Sequence, residues 1–349
     1  MNVDLWTSLP LRQCTMATAL ISLSAATLWA TAAAQSTASD AAPWQVPRTA
    51  HGHPDLQGNW TNATLTPVQR PQGLRAVLSP EQVVEIEDRG GPGECWSCST
   101  TPSEAGERVT VINGEPRSSL ITHPADGRVP ELTVEGQRRV EERTTLRSQF
   151  GPNDHPELLL LADRCLVSFG SNAGPPMLPN YFYLSNYTIV QNADHVMIMT
   201  EMVHDVRIIR LGEPVPLPNH IRPWFGHSWG RWEGDTLVVE TTNLNPDNAL
   251  HSDNAADVED RGVPPSEDAK VIERFALVDE ETLHYEFSID DPTMYASAWG
   301  GEVLFERFDD LLYEYSCHEG NYSLSNSLSG ARYEERSEDG PGVQAQQQD

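Results

Sequence analysis

The chain has 349 residues, 38% of them apolar, and a net charge of −28 with Lys270 as its one lysine. A surface this acidic repels polyanions, which excludes nucleic acid and anionic lipid as expected partners. Past the N-terminus no segment approaches the roughly 20 consecutive apolar residues of a spanning helix, so no membrane span is expected.

Arg12 precedes an apolar run from Met16 to Ala30, and Ala32-Ala33-Ala34 follows it. A positive start, a short apolar stretch and a small-residue site make residues 1–34 a secretory signal peptide, cleaved near Ala34. An uncleaved anchor is the alternative, but the run is short for one. The mature chain is therefore expected in a periplasm or secreted. Residues 35–50 are small and polar and read as a flexible tail.

Residues 51–180 read as a loop- and helix-rich N-terminal region. Ser79-Pro80-Glu81 opens a short helix ending at Arg89, with Ser79 as cap and Gly90-Gly91 as stop. Arg108–Ile112 is a strand candidate, and Val134–Gln149 and Glu157–Cys165 are helix candidates. Four cysteines follow the signal: Cys95, Cys98, Cys165 and Cys317. In an exported chain an even number reads as disulfides, and the favoured pairing joins Cys165 to Cys317 and Cys95 to Cys98. A redox or metal role for Cys95-Trp96-Ser97-Cys98 stays open, though its Gly/Pro-rich flanks are loop-like.

Residues 181–335 change texture. Runs of Val, Ile, Tyr, Phe and Thr are broken by acidic or glycine turns, the pattern of antiparallel strands. The expected strands are Tyr187–Gln191, His195–Met202, Asp205–Leu211, Gly226–Trp232, Thr236–Thr242, Lys270–Val278, Thr282–Ile289, Val303–Phe308 and Leu312–His318. Turns such as Trp232-Glu233-Gly234-Asp235-Thr236 make this a series of hairpins. Sequential antiparallel strands remove their edges by closing, so the fold class is mainly β, an up-and-down β-barrel with the N-terminal region packed on it. A β-sandwich is the alternative. Residues 336–349 read as a disordered acidic tail.

Four stretches carry a resemblance: Pro54-Asp55-Leu56-Gln57-Gly58-Asn59-Trp60; His204-Asp205-Val206-Arg207-Ile208-Ile209; Gly230 through Asn243, containing Trp232-Glu233-Gly234-Asp235-Thr236-Leu237; and Cys317-His318-Glu319-Gly320-Asn321-Tyr322. Together they resemble a family of uncharacterised exported bacterial proteins. The resemblance implies a shared fold and an exported location and carries no activity. Gly58-Asn59-Trp60 is also similar to the G-x-W that opens lipocalin-like barrels, as is Gly230-Arg231-Trp232.

Candidate chemistry lies in the hairpin half. His204, His227 and His318 stand on separate expected strands that a barrel could bring together, with Asp205 or Glu319 to orient an imidazole or act as base. Arg207 would hold an anionic group, and Trp224, Trp232 and Tyr313 would form an apolar wall. Each histidine also has a purely structural reading. A zinc site from His204, His227, His318 and Glu319 is the metal variant, without the usual ligand spacing to support it. The expected function is binding of a small organic molecule with cofactor-free His/carboxylate acid–base catalysis of lyase, isomerase, dehydratase or hydrolase type; the alternative is a non-catalytic carrier. Oligomeric state is not legible.

Overall fold

A computed structural model of the chain describes residues 44–90, 106–179, 184–251 and 262–338. The signal peptide, most of the 35–50 tail, Cys95 and Cys98, and residues 339–349 lie outside the described residues. Twelve strands are present: β1 (Gly58–Thr61), β2 (Val111–Ile112), β3 (Glu115–Pro116), β4 (Ile121–His123), β5 (Asn186–Gln191), β6 (His195–Thr200), β7 (Val206–Leu211), β8 (His227–Glu233), β9 (Thr236–Thr242), β10 (Lys270–Leu277), β11 (Thr282–Asp290) and β12 (Trp299–Arg307). The helices are α1 (Pro80–Arg89), α2 (Val134–Arg147) and α3 (Ser323–Glu338).

Strands β5 to β12 follow one another around a sheet, and β1 pairs with both β5 and β12 to close it. The result is the expected barrel, with nine strands. Alternation of buried and open positions runs along each hairpin, most regularly in β10, where Val271, Glu273, Phe275 and Leu277 point inward.

Three features differ from the sequence-based expectation. First, the N-terminal region does more than pack on the barrel: it supplies β1, the strand that closes it, and β4, which adds to β12. Second, β7 and β8 are parallel, with Arg210 opposite Trp229 and Leu211 opposite Gly230. The proline-rich link between them carries the chain back to the end where β7 began, as a parallel pair requires. Third, Leu312–His318 is not a strand. The barrel edge it would have joined is occupied by β1, where Trp60 faces Arg307 and the guanidinium lies 3.9 Å over the indole centroid.

Helix α1 forms as expected, with Ser79 and Gln82 in a reciprocal capping box and Gly90 as a left-handed cap. Helix α2 ends at Arg147, and Glu157–Cys165 gives only one 3-10 turn, Pro156–Leu158. Helix α3 runs to Glu338, into the stretch expected to be tail.

The barrel lumen is filled by its own side chains. Trp60, Tyr187, Phe275, Tyr285, Phe305 and Trp299 are fully buried there. Their rings sit against one another, as in Phe275–Tyr285 at 4.9 Å and Tyr187–Phe305 at 5.2 Å. Each such burial contributes about 1.5–3 kcal/mol. At one end Trp232 stacks on His53, with ring centroids 5.4 Å apart. At the other the segment around Met177 enters the lumen, where its N–H donates to the Tyr285 hydroxyl at 2.8 Å.

Candidate functional site

Residues expected at the site fall into three places. Arg207 is alone among them in the lumen. Strand alternation turns it inward, where it meets Glu273 of β10 with Nη1 to Oε1 at 3.0 Å and Nη2 to Oε2 at 2.6 Å. Tyr285 donates its hydroxyl to Glu273 Oε1 at 2.8 Å. Burial alone would lower the guanidinium's pKa; the Glu273 charge and hydrogen bonds reverse that and raise it. The expected role of Arg207, holding a substrate anion, is therefore corrected: its carboxylate comes from the protein. Burial, then the charge of Glu273, holds the Tyr285 phenol well above its ordinary range, so it stays protonated.

The second place is an outer corner at the start of β7. Here a turn over Met202–His204 leads into Asp205, with Val203 at φ +60° and His204 at φ +50°. Left-handed backbone at a β-branched residue costs roughly 1–2 kcal/mol, and strain of this kind collects at functional sites. Buried Glu201 secures the turn by accepting from Asn186 Nδ2 at 2.9 Å and from the Tyr313 N–H at 2.8 Å. His204 is exposed, and its Nδ1 lies 2.9 Å from the Tyr315 carbonyl. Asp205 is half-buried and accepts a hydrogen bond from the Ser168 N–H at 2.7 Å. Burial pushes its carboxyl up to about 7, against the opposing effects of Ser168 and His204.

The segments carrying Ser168 and Tyr315 are joined by the Cys165–Cys317 disulfide, the pairing favoured from the sequence. Asn321 adds a hydrogen bond to the Asp163 carbonyl at 3.2 Å. His318 and Glu319 follow Cys317 directly and are exposed, as is Tyr313. Tyr313, His318 and Glu319 thus stand on the segment that meets the His204–Asp205 turn through the His204–Tyr315 and Glu201–Tyr313 hydrogen bonds, the same segment that the disulfide ties down.

The third group stands apart. His227 begins β8, and because Ser228 faces inward toward Arg207, the imidazole faces outward. Its Nε2 accepts from Trp229 Nε1 at 3.1 Å, and burial, then the nearby Arg210 charge, lowers its pKa. Trp232 lies five residues along the same strand, about 17 Å away at ~3.3 Å per residue, and plugs the opposite end. Trp224 sits in the β7–β8 link, where its carbonyl accepts from Asn248 Nδ2 at 2.9 Å. A single interior pocket walled by Trp224, Trp232 and Tyr313 is therefore not formed, and His227 does not join His204 inside the barrel. Among the described residues no group of three or more His, Cys, Asp or Glu side chains is arranged to hold a metal ion.

Sequence reasoning missed Glu273 and Tyr285, both inward-facing on expected strands. An acid between Val271 and Phe275 in a strictly alternating run was the available signal. It also missed an open groove of about 560 Å³ along α2. No protein-family model matches the chain, and no curated protein matches it.

Proposed function

We propose that this is an exported barrel protein whose disulfide-tied corner performs cofactor-free acid–base chemistry on a small organic molecule. Asp205 gives and takes the proton, and His204 stands beside it. The observation that carries this reading is Asp205 itself: a half-buried carboxyl at a strained turn, raised to about 7 and held by the backbone N–H and side chain of Ser168. A group that titrates near the working pH is present in both forms, which general acid–base catalysis needs. The substrate would approach from outside, past His204 and Tyr313, and lyase, isomerase, dehydratase or hydrolase steps fit this chemistry. Export is supported by the disulfide, which persists in oxidising compartments, and by the signal-like N-terminus. A non-catalytic carrier of lipocalin type would hold its ligand in the lumen, and the filled lumen weighs against that reading.

The test is proton exchange. The protein is incubated in D2O with a panel of small keto, hydroxy and ester compounds, and loss of carbon-bound protons is followed by NMR. Exchange that vanishes in Asp205→Asn and persists in His227→Ala supports the proposal. Exchange unchanged in Asp205→Asn, or an Asp205 carboxyl titrating near 4, overturns it.

A further inference from the structure

Outside that corner, α2 presents a feature unusual on so acidic a protein. Arg139, Arg143 and Arg147 recur every four residues and so share one helix face. Thr133 caps the helix, donating its N–H to the Met294 carbonyl at 2.9 Å. Gly136 lets the first turn approach closely, since a Cβ there would lie 2.5 Å from the same carbonyl. The arginine face is thereby held opposite the Met294 turn and Pro264-Pro265, with the open groove of about 560 Å³ between them. Ligand sites commonly have volumes of roughly 300–1,000 Å³.

The three arginines are not equally satisfied. Arg139 is paired with Glu135 at 2.7 Å. Arg143 donates to the Pro246 carbonyl, and its carboxylate partner, exposed Asp247, lies 3.7 Å away. Arg147 donates to the Leu158 carbonyl at 2.7 Å and makes no ion pair among the described residues. Burial, then the neighbouring charge of Arg143, lowers the Arg147 pKa, and the opposing charge of Asp247 is too weak to reverse the shift. Beside them Leu146 and Phe150 are 59% and 50% exposed and add apolar surface to the groove.

We infer that the groove binds an organic carboxylate with an aromatic or alkyl body. The carboxylate sits on the Arg143–Arg147 forks, and the body lies over Leu146 and Phe150 toward Pro264, Pro265 and Met294. Guanidinium forks match a carboxylate through two parallel N–H donors, and the apolar wall supplies affinity that a bare inorganic anion would not gain. The site is separate from the Asp205 corner and does not depend on chemistry occurring there.

The experiment uses the whole mature protein with 2-naphthoate and octanoate as probes and 2-naphthalenemethanol as the neutral control. Binding is measured by calorimetry and by NMR shifts. The expected result is that both carboxylates bind at millimolar concentration or tighter, with the alcohol at least tenfold weaker. Arg147→Gln and Phe150→Ala should each weaken 2-naphthoate tenfold or more, Arg147→Lys should recover part of the loss, and Asp205→Asn should leave binding unchanged. Unaltered circular dichroism melts separate lost binding from lost folding. Equal binding of the alcohol, undiminished binding by folded Arg147→Gln, or no binding of either carboxylate at millimolar concentration overturns the inference.

Discussion

Arg207 and Glu273, 66 positions apart in the chain, meet through two parallel hydrogen bonds inside the barrel, with side chains only 2% and 0% exposed. Removing two charges from water is costly, and that cost is offset only while the pair and its hydrogen bonds are complete. Tyr285 completes the carboxylate's partners from β11, so three strands converge on one ion pair.

Glu273→Gln should therefore destabilise the fold by about 3–5 kcal/mol, because Arg207 would remain charged and unpaired in the lumen. The double variant Arg207→Met with Glu273→Leu should be markedly more stable than Glu273→Gln alone. Urea unfolding of the three proteins checks this; equal midpoints for Glu273→Gln and the parent would show that the pair contributes nothing.

Asp205 sets a pH dependence of opposite sign to that of an ion-paired carboxylate. Its folded-state pKa is raised from the ordinary carboxylate range near 3.8 to about 7. Between those values the folded protein keeps a proton that the unfolded chain has lost, so this group's contribution makes stability fall as pH rises through the window and level off above it. Asp205→Asn should flatten that slope and leave the variant relatively more stable at pH 8 than at pH 4. Thermal melts across pH, with the parent alongside, measure the difference directly.

The Cys165–Cys317 link spans 152 positions, a long loop in the unfolded chain. Replacing both cysteines by serine should cost roughly 3–5 kcal/mol, mainly by freeing the unfolded ensemble. The corner should respond as well: with Ser168 and Tyr315 no longer tied together, the Asp205 carboxyl becomes better hydrated and its pKa falls toward the ordinary carboxylate range. Carbon-13 NMR titration of Asp205 in the oxidised and double-serine proteins reads this separately from stability.

Gly301 is where β12 serves two neighbours, lying opposite Phe287 of β11 and Ile121 of β4 at an irregular register. A Cβ there would stand 2.1 Å from the Leu120 carbonyl oxygen, a backbone atom that cannot swing away. Gly301→Ala should destabilise by about 1–3 kcal/mol through forced displacement of β4. Faster amide exchange at Ile121 would locate the damage.

The hairpins were legible because each is local: alternation and a short acidic turn, with Gly234 in the first and Asp279-Glu280-Glu281 in the second, specify β8–β9 and β10–β11 within about twenty residues. The start of β12 was not, because Gly300-Gly301 look like a turn when their reason, close approach of β11 and β4, is not visible in the sequence. Leu312–His318 alternates like a strand, yet the edge it needed is held by Trp60 from far upstream. At the site, the cysteine pairing was legible because an even number of cysteines in an exported chain points to disulfides, and Cys165 does find Cys317 across 152 positions; the turn over Met202–His204 was not, since His204-Asp205 reads as the opening of a strand that in fact starts at Val206. The partnership of Arg207 with Glu273 depends on which strands lie across the lumen, and the parallel β7–β8 pair that sets this arrangement leaves no mark beyond a proline-rich link.

The strand that closes the barrel comes from the opposite end of the chain. Gln57, just ahead of β1, accepts a hydrogen bond from Arg307 across 250 positions. Pairings that distant must wait for slow chain diffusion, so ring closure is expected to be the late, rate-setting event of folding. Until it happens β5 and β12 each present an open row of backbone donors and acceptors, ready to zip onto a neighbouring molecule. Competition between latching and self-association would then decide the refolding yield at high protein concentration.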